Sequence, residues 1–354
     1  MIIHNSSENK KIKTLVDKFI KCKVEKYILG LNENSKKLAN IVNIDGYIDD
    51  FTESKLYNNI AVYKSNEIIN KEAIIVSSSL AIYPHSAIKS LYKSGFKNIL
   101  SILDVAKYSS LKLDFISFAK EDLESNYNKY KMVFNSLKDD ESKNIFENIV
   151  NFRFNLDLNY MNSFIVDMKM QYFEDFLNLK RGEVFADVGG FDGQTSEEFI
   201  KHCPNYKSIY FFEPSEKSMT IAKENLKDYK NINFILKGLS NNKNVLKFNT
   251  EPGSASIISE YGAVTIEVDS LDNLVNEKVS FIKIDIEGWE SMAIEGMKNH
   301  ILNDHPKMAI SVYHKVDDFW KIPEQVFAIR SDYDIYMRHY TEGTDETVMF
   351  FMPK

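Results

Sequence analysis

The chain has 354 residues, more than one hydrophobic core usually serves, so two domains are expected. Hydrophobic residues at 44% and charged residues at 27% exclude disorder over most of the chain. A formal net charge of −7 excludes a general attraction for polyanions, and the short block Lys10-Lys11-Ile12-Lys13 reads as a solvated helix face, so nucleic acid is not an expected partner.

A helix-compatible stretch over 10–23 opens the chain, followed by a strand at Glu25–Gly30, a polar helix from Ser35 and an acid-ended strand at Ile44–Asp50. Glu72–Ser78 is a β-branched run closing in serines; a helix over Ala87–Ser94 and a strand over Asn98–Leu103 come next. This alternation predicts a small parallel α/β domain over 1–106. Its turn Gly30-Leu31-Asn32-Glu33 is of a dinucleotide-binding kind that keeps one glycine, and Asn32 and Glu33 would hinder a pyrophosphate. Ser77, Ser78 and Ser79 suit ligand bonding and helix capping equally.

Residues 107–180 read as a helical connector, and the stripe Met168, Met170, Tyr172, Phe173, Phe176 reads as one helix face packed into a core. Residues 181–354 form the second domain. Strands are predicted at Glu183–Val188, Ser208–Phe212, Ile232–Leu236, Val279–Asp285, Lys307–Tyr313, Asp334–Arg338 and Thr347–Phe351, with helices at Thr195–His202, Ser215–Asp228, Glu290–His300 and Asp318–Arg330. No helix separates the last two strands, so an antiparallel hairpin should close the sheet edge.

Cys22 and Cys203 stand alone, without a metal-binding or disulfide spacing, which fits a reducing cytoplasm. The first residues lack a basic segment leading into an apolar run, and no apolar stretch of about 18 residues occurs, so neither a secretory leader nor a membrane span is expected.

The chemistry concentrates in the second domain. Asp187-Val188-Gly189-Gly190-Phe191-Asp192-Gly193 joins a strand to a helix start, a place where backbone N–H groups and glycine turns admit a nucleotide-like ligand. Glu213, before Pro214 at the next strand end, is placed to accept hydrogen bonds from ribose hydroxyls. The spacing departs from G-x-G-x-x-G, and Asp187 would repel a pyrophosphate while suiting the ammonium and sulfonium of S-adenosylmethionine.

With Phe212-Glu213-Pro214, Ser270-Leu271-Asp272, Phe281-Ile282-Lys283-Ile284-Asp285-Ile286-Glu287-Gly288 with Glu290, and Ala293-Ile294-Glu295-Gly296 following in order, the segment resembles the FkbM family of class I S-adenosylmethionine-dependent methyltransferases. The resemblance implies a seven-stranded Rossmann-like sheet with an antiparallel last strand. It puts Asp187, Gly189, Gly190 and Gly193 around the methionine moiety, Glu213 on the ribose, and Gly238, Leu239 and Ser240 beside the adenine. It also implies O-methylation of a sugar or glycan-linked hydroxyl, free or nucleotide-linked, in a bacterial surface polysaccharide or glycoprotein.

Asp285 and Glu287, two residues apart at a strand end, would face the same side if the strand persists that far, there to contact cofactor or acceptor or, for Glu287 about equally, to cap the next helix. His314, at another strand end, is the leading candidate for general base, with a carboxylate as the other candidate and a hydrogen bond to a loop as an equally weighted role for the ring. Lys315, Arg338, His339 and Tyr340 are placed to border the acceptor, whereas His300 and His305 look like surface residues. Asp285, Glu287 and His314 would also suit Mg²⁺ or Mn²⁺, an open alternative. Two other function classes are open: a non-catalytic cofactor-binding or assembly module, and a nicotinamide-dependent sugar oxidoreductase built on the first domain; a homo-oligomer is compatible with every reading.

Overall fold

A computed structural model describes residues 1–113, 115–248 and 264–354. The chain divides into two compact units. The first comprises residues 1–127, 144–166 and 340–345, and the second comprises 128–143, 167–339 and 346–354. The helical stretch 107–180 therefore contributes to both.

The first unit holds the strands β1 (Lys26–Leu29), β2 (Gly46–Ile48), β3 (Leu56–Tyr57), β4 (Ile60–Tyr63), β5 (Ile74–Ser77) and β6 (Asn98–Ser101). They form one sheet in the order β3-β4-β2-β1-β5-β6, parallel except for β3 against β4. Strand order reverses between β1 and β5. There the chain fills its own crevice: Asn32 caps the helix Glu33–Ala39, and its amide donates to Ser78 Oγ at 3.0 Å. Ser78 Oγ in turn donates to Leu29 O at 2.7 Å. Ser77 and Ser78 are buried.

The second unit is built on β7 (Val184–Val188), β8 (Ser208–Phe212), β9 (Ile232–Ile235), β10 (Gly238–Leu239), β11 (Asn244–Phe248), β12 (Val264–Asp269), β13 (Phe281–Ile284), β14 (Lys307–Ser311), β15 (Tyr333–His339) and β16 (Thr347–Pro353). Seven strands pair in the order β15-β16-β14-β13-β7-β8-β9. β16 lies antiparallel between β14 and β15, as the absence of an intervening helix predicts. β10, β12 and β11 form a separate three-stranded sheet that the sequence reading did not anticipate. Its signal was the alternation Val264-Thr265-Ile266-Glu267-Val268-Asp269, of which Ile266 and Val268 are buried.

The central strands are apolar runs because helices cover both faces of a parallel sheet. Phe185, Phe199 and Phe281 stack within this core, with centroids 4.3 Å (Phe185–Phe199) and 5.0 Å (Phe185–Phe281) apart. The stretch Met168–Phe176 departs from expectation. It is a series of turns followed by a short 3₁₀ segment, Asp175–Leu177, and Met168 is exposed. Phe173 and Phe176 do pack, against Phe281 and Tyr336. No helix among the described residues is long and apolar enough to cross a membrane.

Candidate active site

Strand order in the larger sheet reverses at β7, and a cavity of about 600 Å³ opens at the carboxyl ends of β7, β8 and β13. Gly189 makes the opening feasible. It has φ +80°, and a Cβ there would fall 1.9 Å from the backbone oxygen of Asp285, so the β7 and β13 ends approach only because no side chain intervenes. The N–H groups of Gly189 and Gly190 both donate to Phe212 O at 3.0 Å, which ties the turn to the end of β8. Just beyond, the Glu213 carboxylate accepts from Phe191 N (3.0 Å) and Ser215 N (2.8 Å). Burial raises the pKa of Glu213, with these two bonds opposing.

Gly189, Gly190, Glu213, Gly238, Leu239, Asp285 and Glu287 all line this cavity, whereas Asp187, Gly193 and His314 do not. Gly193 is the N-cap of the helix Gln194–His202. Asp187 is wholly buried: Ser196 Oγ donates to one oxygen at 2.7 Å, and Lys283 Nζ lies 3.3 Å from the other. Lys283 escaped the sequence reading as a candidate although it lines the cavity. The available signal was a lysine within an apolar central strand, where a charge needs a partner.

Asp285 is the hub of the opposite wall. Its Oδ2 accepts from Tyr172 Oη at 2.6 Å and from Tyr313 Oη at 3.3 Å. β13 ends at Ile284, so Asp285 and Glu287 do not share the face of a continuing strand; Glu287 reaches the cavity from a turn with φ +55°. His314 lies behind them, its Nε2 3.4 Å from Asp285 and 3.5 Å from Glu287, and its Nδ1 3.0 Å from Glu290. These contacts are close ion pairs and not aligned hydrogen bonds.

Burial opposes charge on His314, but the Glu290, Asp285 and Glu287 carboxylates outweigh it and lift its pKa to about 10. At neutral pH the ring is an imidazolium and has no lone pair to take a proton, so the expected base is already loaded. Asp318 is pushed up to about 7, by burial first and then by Glu290. Asp285, Glu290 and His314 bring one donor atom each within 4.8 Å of one another, Glu290 standing where Glu287 was expected in a cation-binding set. The imidazolium itself supplies positive charge to these carboxylates.

Backbone strain concentrates at the same place. Setting aside Asn and His, the non-glycine residues with positive φ among those described are Leu156, Tyr172, Phe191, Glu287 and Glu346, and all but Leu156 line the cavity. A left-handed conformation costs about 1–2 kcal/mol per residue, and such residues gather where a site requires them. Gln171, also on the wall, joins two of the four by donating to Tyr172 Oη (2.9 Å) and to Glu346.

Other candidates lie elsewhere. Arg338 is buried against Asp139 (2.8 Å) and Ser142 (2.9 Å), and His339 Nδ1 lies 2.8 Å from Thr347 Oγ1. Tyr340 belongs to the first unit, and the exposed Lys315 donates to Gly288 O. None of these lines the cavity. His300 opens the short π-helical segment His300–Asp304 and is buried, its ring held between Asp304 at 2.6 Å and Val275 O at 3.1 Å; it is not a surface residue. His305 is half-buried beside Tyr333.

Residues 187–341 match the family model of the methyltransferase FkbM domain. Residues 187–341 thus form a methyltransferase FkbM domain. The chain's fold is similar to that of the methyltransferase FkbM from Methylobacillus flagellatus, at a TM-score of 0.78 and 20% identity over 97% of this chain and 93% of that one. Looser likenesses include an rRNA methylase from Streptococcus thermophilus (TM-score 0.35, 18% identity, 51% of this chain and 92% of that one). Another is a methyltransferase from Streptococcus mutans in complex with SAH (TM-score 0.34, 15% identity, 53% and 99%). No curated protein matches the sequence.

Proposed function

We propose that this FkbM-type methyltransferase uses S-adenosylmethionine to methylate a hydroxyl of a sugar or glycan-linked acceptor, including nucleotide-linked sugars, in surface polysaccharide or glycoprotein modification. The observation that carries the reading is the cavity at the reversal of strand order, with the Gly189 turn on one side and Glu213 held by two backbone N–H groups on the other. S-adenosylmethionine supplies an electrophilic methyl carbon on a sulfonium. Glu213 retains lone pairs for ribose hydroxyls, and Gly238 and Leu239 offer a wall for the adenine. The acceptor faces Asp285, Glu287, Gln171, Tyr313 and Trp289, a mix of planar acceptors, donors and an indole that suits a hydroxyl-rich ring.

The attacking oxygen forms its bond to the methyl carbon as the sulfur–carbon bond breaks, and the hydroxyl proton leaves to a carboxylate. Asp285 already accepts from two phenols, which fixes its carboxylate and makes it an orienting group. Glu287, on the wall and less enclosed, takes the proton, and the His314 imidazolium fixes the geometry of the pair. Calorimetry with S-adenosylmethionine tests the cofactor assignment: Glu213→Ala should weaken binding about tenfold or more. Glu287→Gln should leave binding intact and lower kcat by about 10²–10³. Unchanged affinity in the first variant rejects the ribose role, and unchanged kcat in the second rejects the base. Activity should persist in EDTA, and a requirement for Mg²⁺ would reassign the carboxylates to a cation.

A further inference from the structure

We propose that Lys283 holds the carboxylate of the cofactor's methionine end, an assignment that rests on the S-adenosylmethionine reading. Lys283 is 2% exposed, yet it lines the cavity. Its Nζ donates to Gly189 O at 2.7 Å, lies 3.3 Å from Asp187, and sits 5.3 Å from the Tyr172 ring centroid. It therefore occupies the floor between the β7 and β13 ends, two residues before Asp285.

The charges of the wall single it out. The acids on the lining are Asp192, Glu213, Asp285, Glu287 and Glu346, and its cations are Lys217 and Lys283. Such a wall repels an amino acid's carboxylate everywhere except beside a cation. Lys217 is exposed and follows β8 on the Glu213 side, whereas Lys283 adjoins the glycine turn. Asp187 is no rival partner for the ligand's ammonium, because it is wholly buried, lies off the cavity wall and is ion-paired to Lys283. An ammonium inside a partly dry cleft binds a carboxylate through a charge-assisted bond, stronger than the same contact in water.

The test compares S-adenosylmethionine with its decarboxylated analogue, which lacks only the carboxylate, by calorimetry on the full chain. Wild type should prefer the carboxylated compound by about 10- to 100-fold, the range of one charge-assisted hydrogen bond. Lys283→Met should reduce the preference to near one. Because that change strands the buried Asp187 charge, the pair Asp187→Asn and Asp187→Asn/Lys283→Met repeats the comparison without that carboxylate. A preference near one in wild type, or one that survives loss of Lys283, overturns the assignment. Wild type that binds neither compound overturns the cofactor reading as well, so the two failures are distinguishable.

Discussion

Phe191 shows at the scale of one residue how a site departs from what folding alone would select. It is 65% exposed, adopts φ +49°, and lines the cavity while its N–H anchors Glu213. A large aromatic in a left-handed turn stabilises little, and its place on the cavity wall makes it a candidate ligand contact. Phe191→Gly should raise unfolding free energy by up to about 1 kcal/mol, the relief of left-handed strain less the entropy of glycine. The same change should weaken S-adenosylmethionine binding several-fold, and equal affinity would remove Phe191 from the ligand contacts. His314 gives the second prediction. Its pKa is raised from the ordinary 6.5 to about 10, so its ion pairs contribute stability in full below pH 6.5, and that contribution is lost as the pH rises towards 10. Asp318, raised from 3.8 to about 7, loses its contribution earlier, between those values. Urea unfolding should show wild type losing on the order of a few kcal/mol relative to His314→Gln between pH 6.5 and 10. Parallel curves would mean that the ring is neutral in the folded protein.

Individual elements of the larger sheet were legible because strands buried on both faces are apolar runs, and parallel ones alternate with helices. Ser208–Phe212 coincides with its expected span, and Lys307–Tyr313 and Asp334–Arg338 differ only at their ends. The Met168–Phe176 stretch was misjudged because a helical spacing of aromatics carries no information about whether the backbone turns. Only the packed structure shows Tyr172 at φ +70° with its hydroxyl on Asp285. The Gly189 turn is the element on which the site depends. Gly189→Ala would place a methyl group inside the van der Waals radius of Asp285 O at a positive φ, so destabilisation of several kcal/mol with loss of ligand binding is expected in thermal and calorimetric measurements. A near-native variant would show that the β13 end can withdraw freely. β15 carries the last prediction. Arg338 ties this strand to Asp139 and Ser142, so Arg338→Ala should cost about 2–3 kcal/mol in urea unfolding yet leave kcat unaltered at permissive temperature. A specific fall in kcat would return it to the acceptor site.

For the molecule as a whole, the two units differ in how far their sequences disclose a purpose. In the first, the crevice of a doubly wound sheet is present, but Asn32 and Ser78 bridge it, in keeping with the loss of glycines read from the turn. In the second, the FkbM signature, the sheet and the antiparallel β16 agree with one another. By itself the sequence determined the class of the two larger sheets, the succession of the main strands along the chain, the glycine turn and the acid beside it, because periodicity and turn chemistry act over a few neighbouring residues. Only the tertiary structure decided that Lys283 neutralises Asp187, that Tyr172 and Tyr313 converge on Asp285, and that three carboxylates hold a proton on His314. Those assignments depend on distance and burial between residues tens to more than a hundred positions apart, and electrostatic strength follows from that proximity and desolvation, neither of which local spacing encodes.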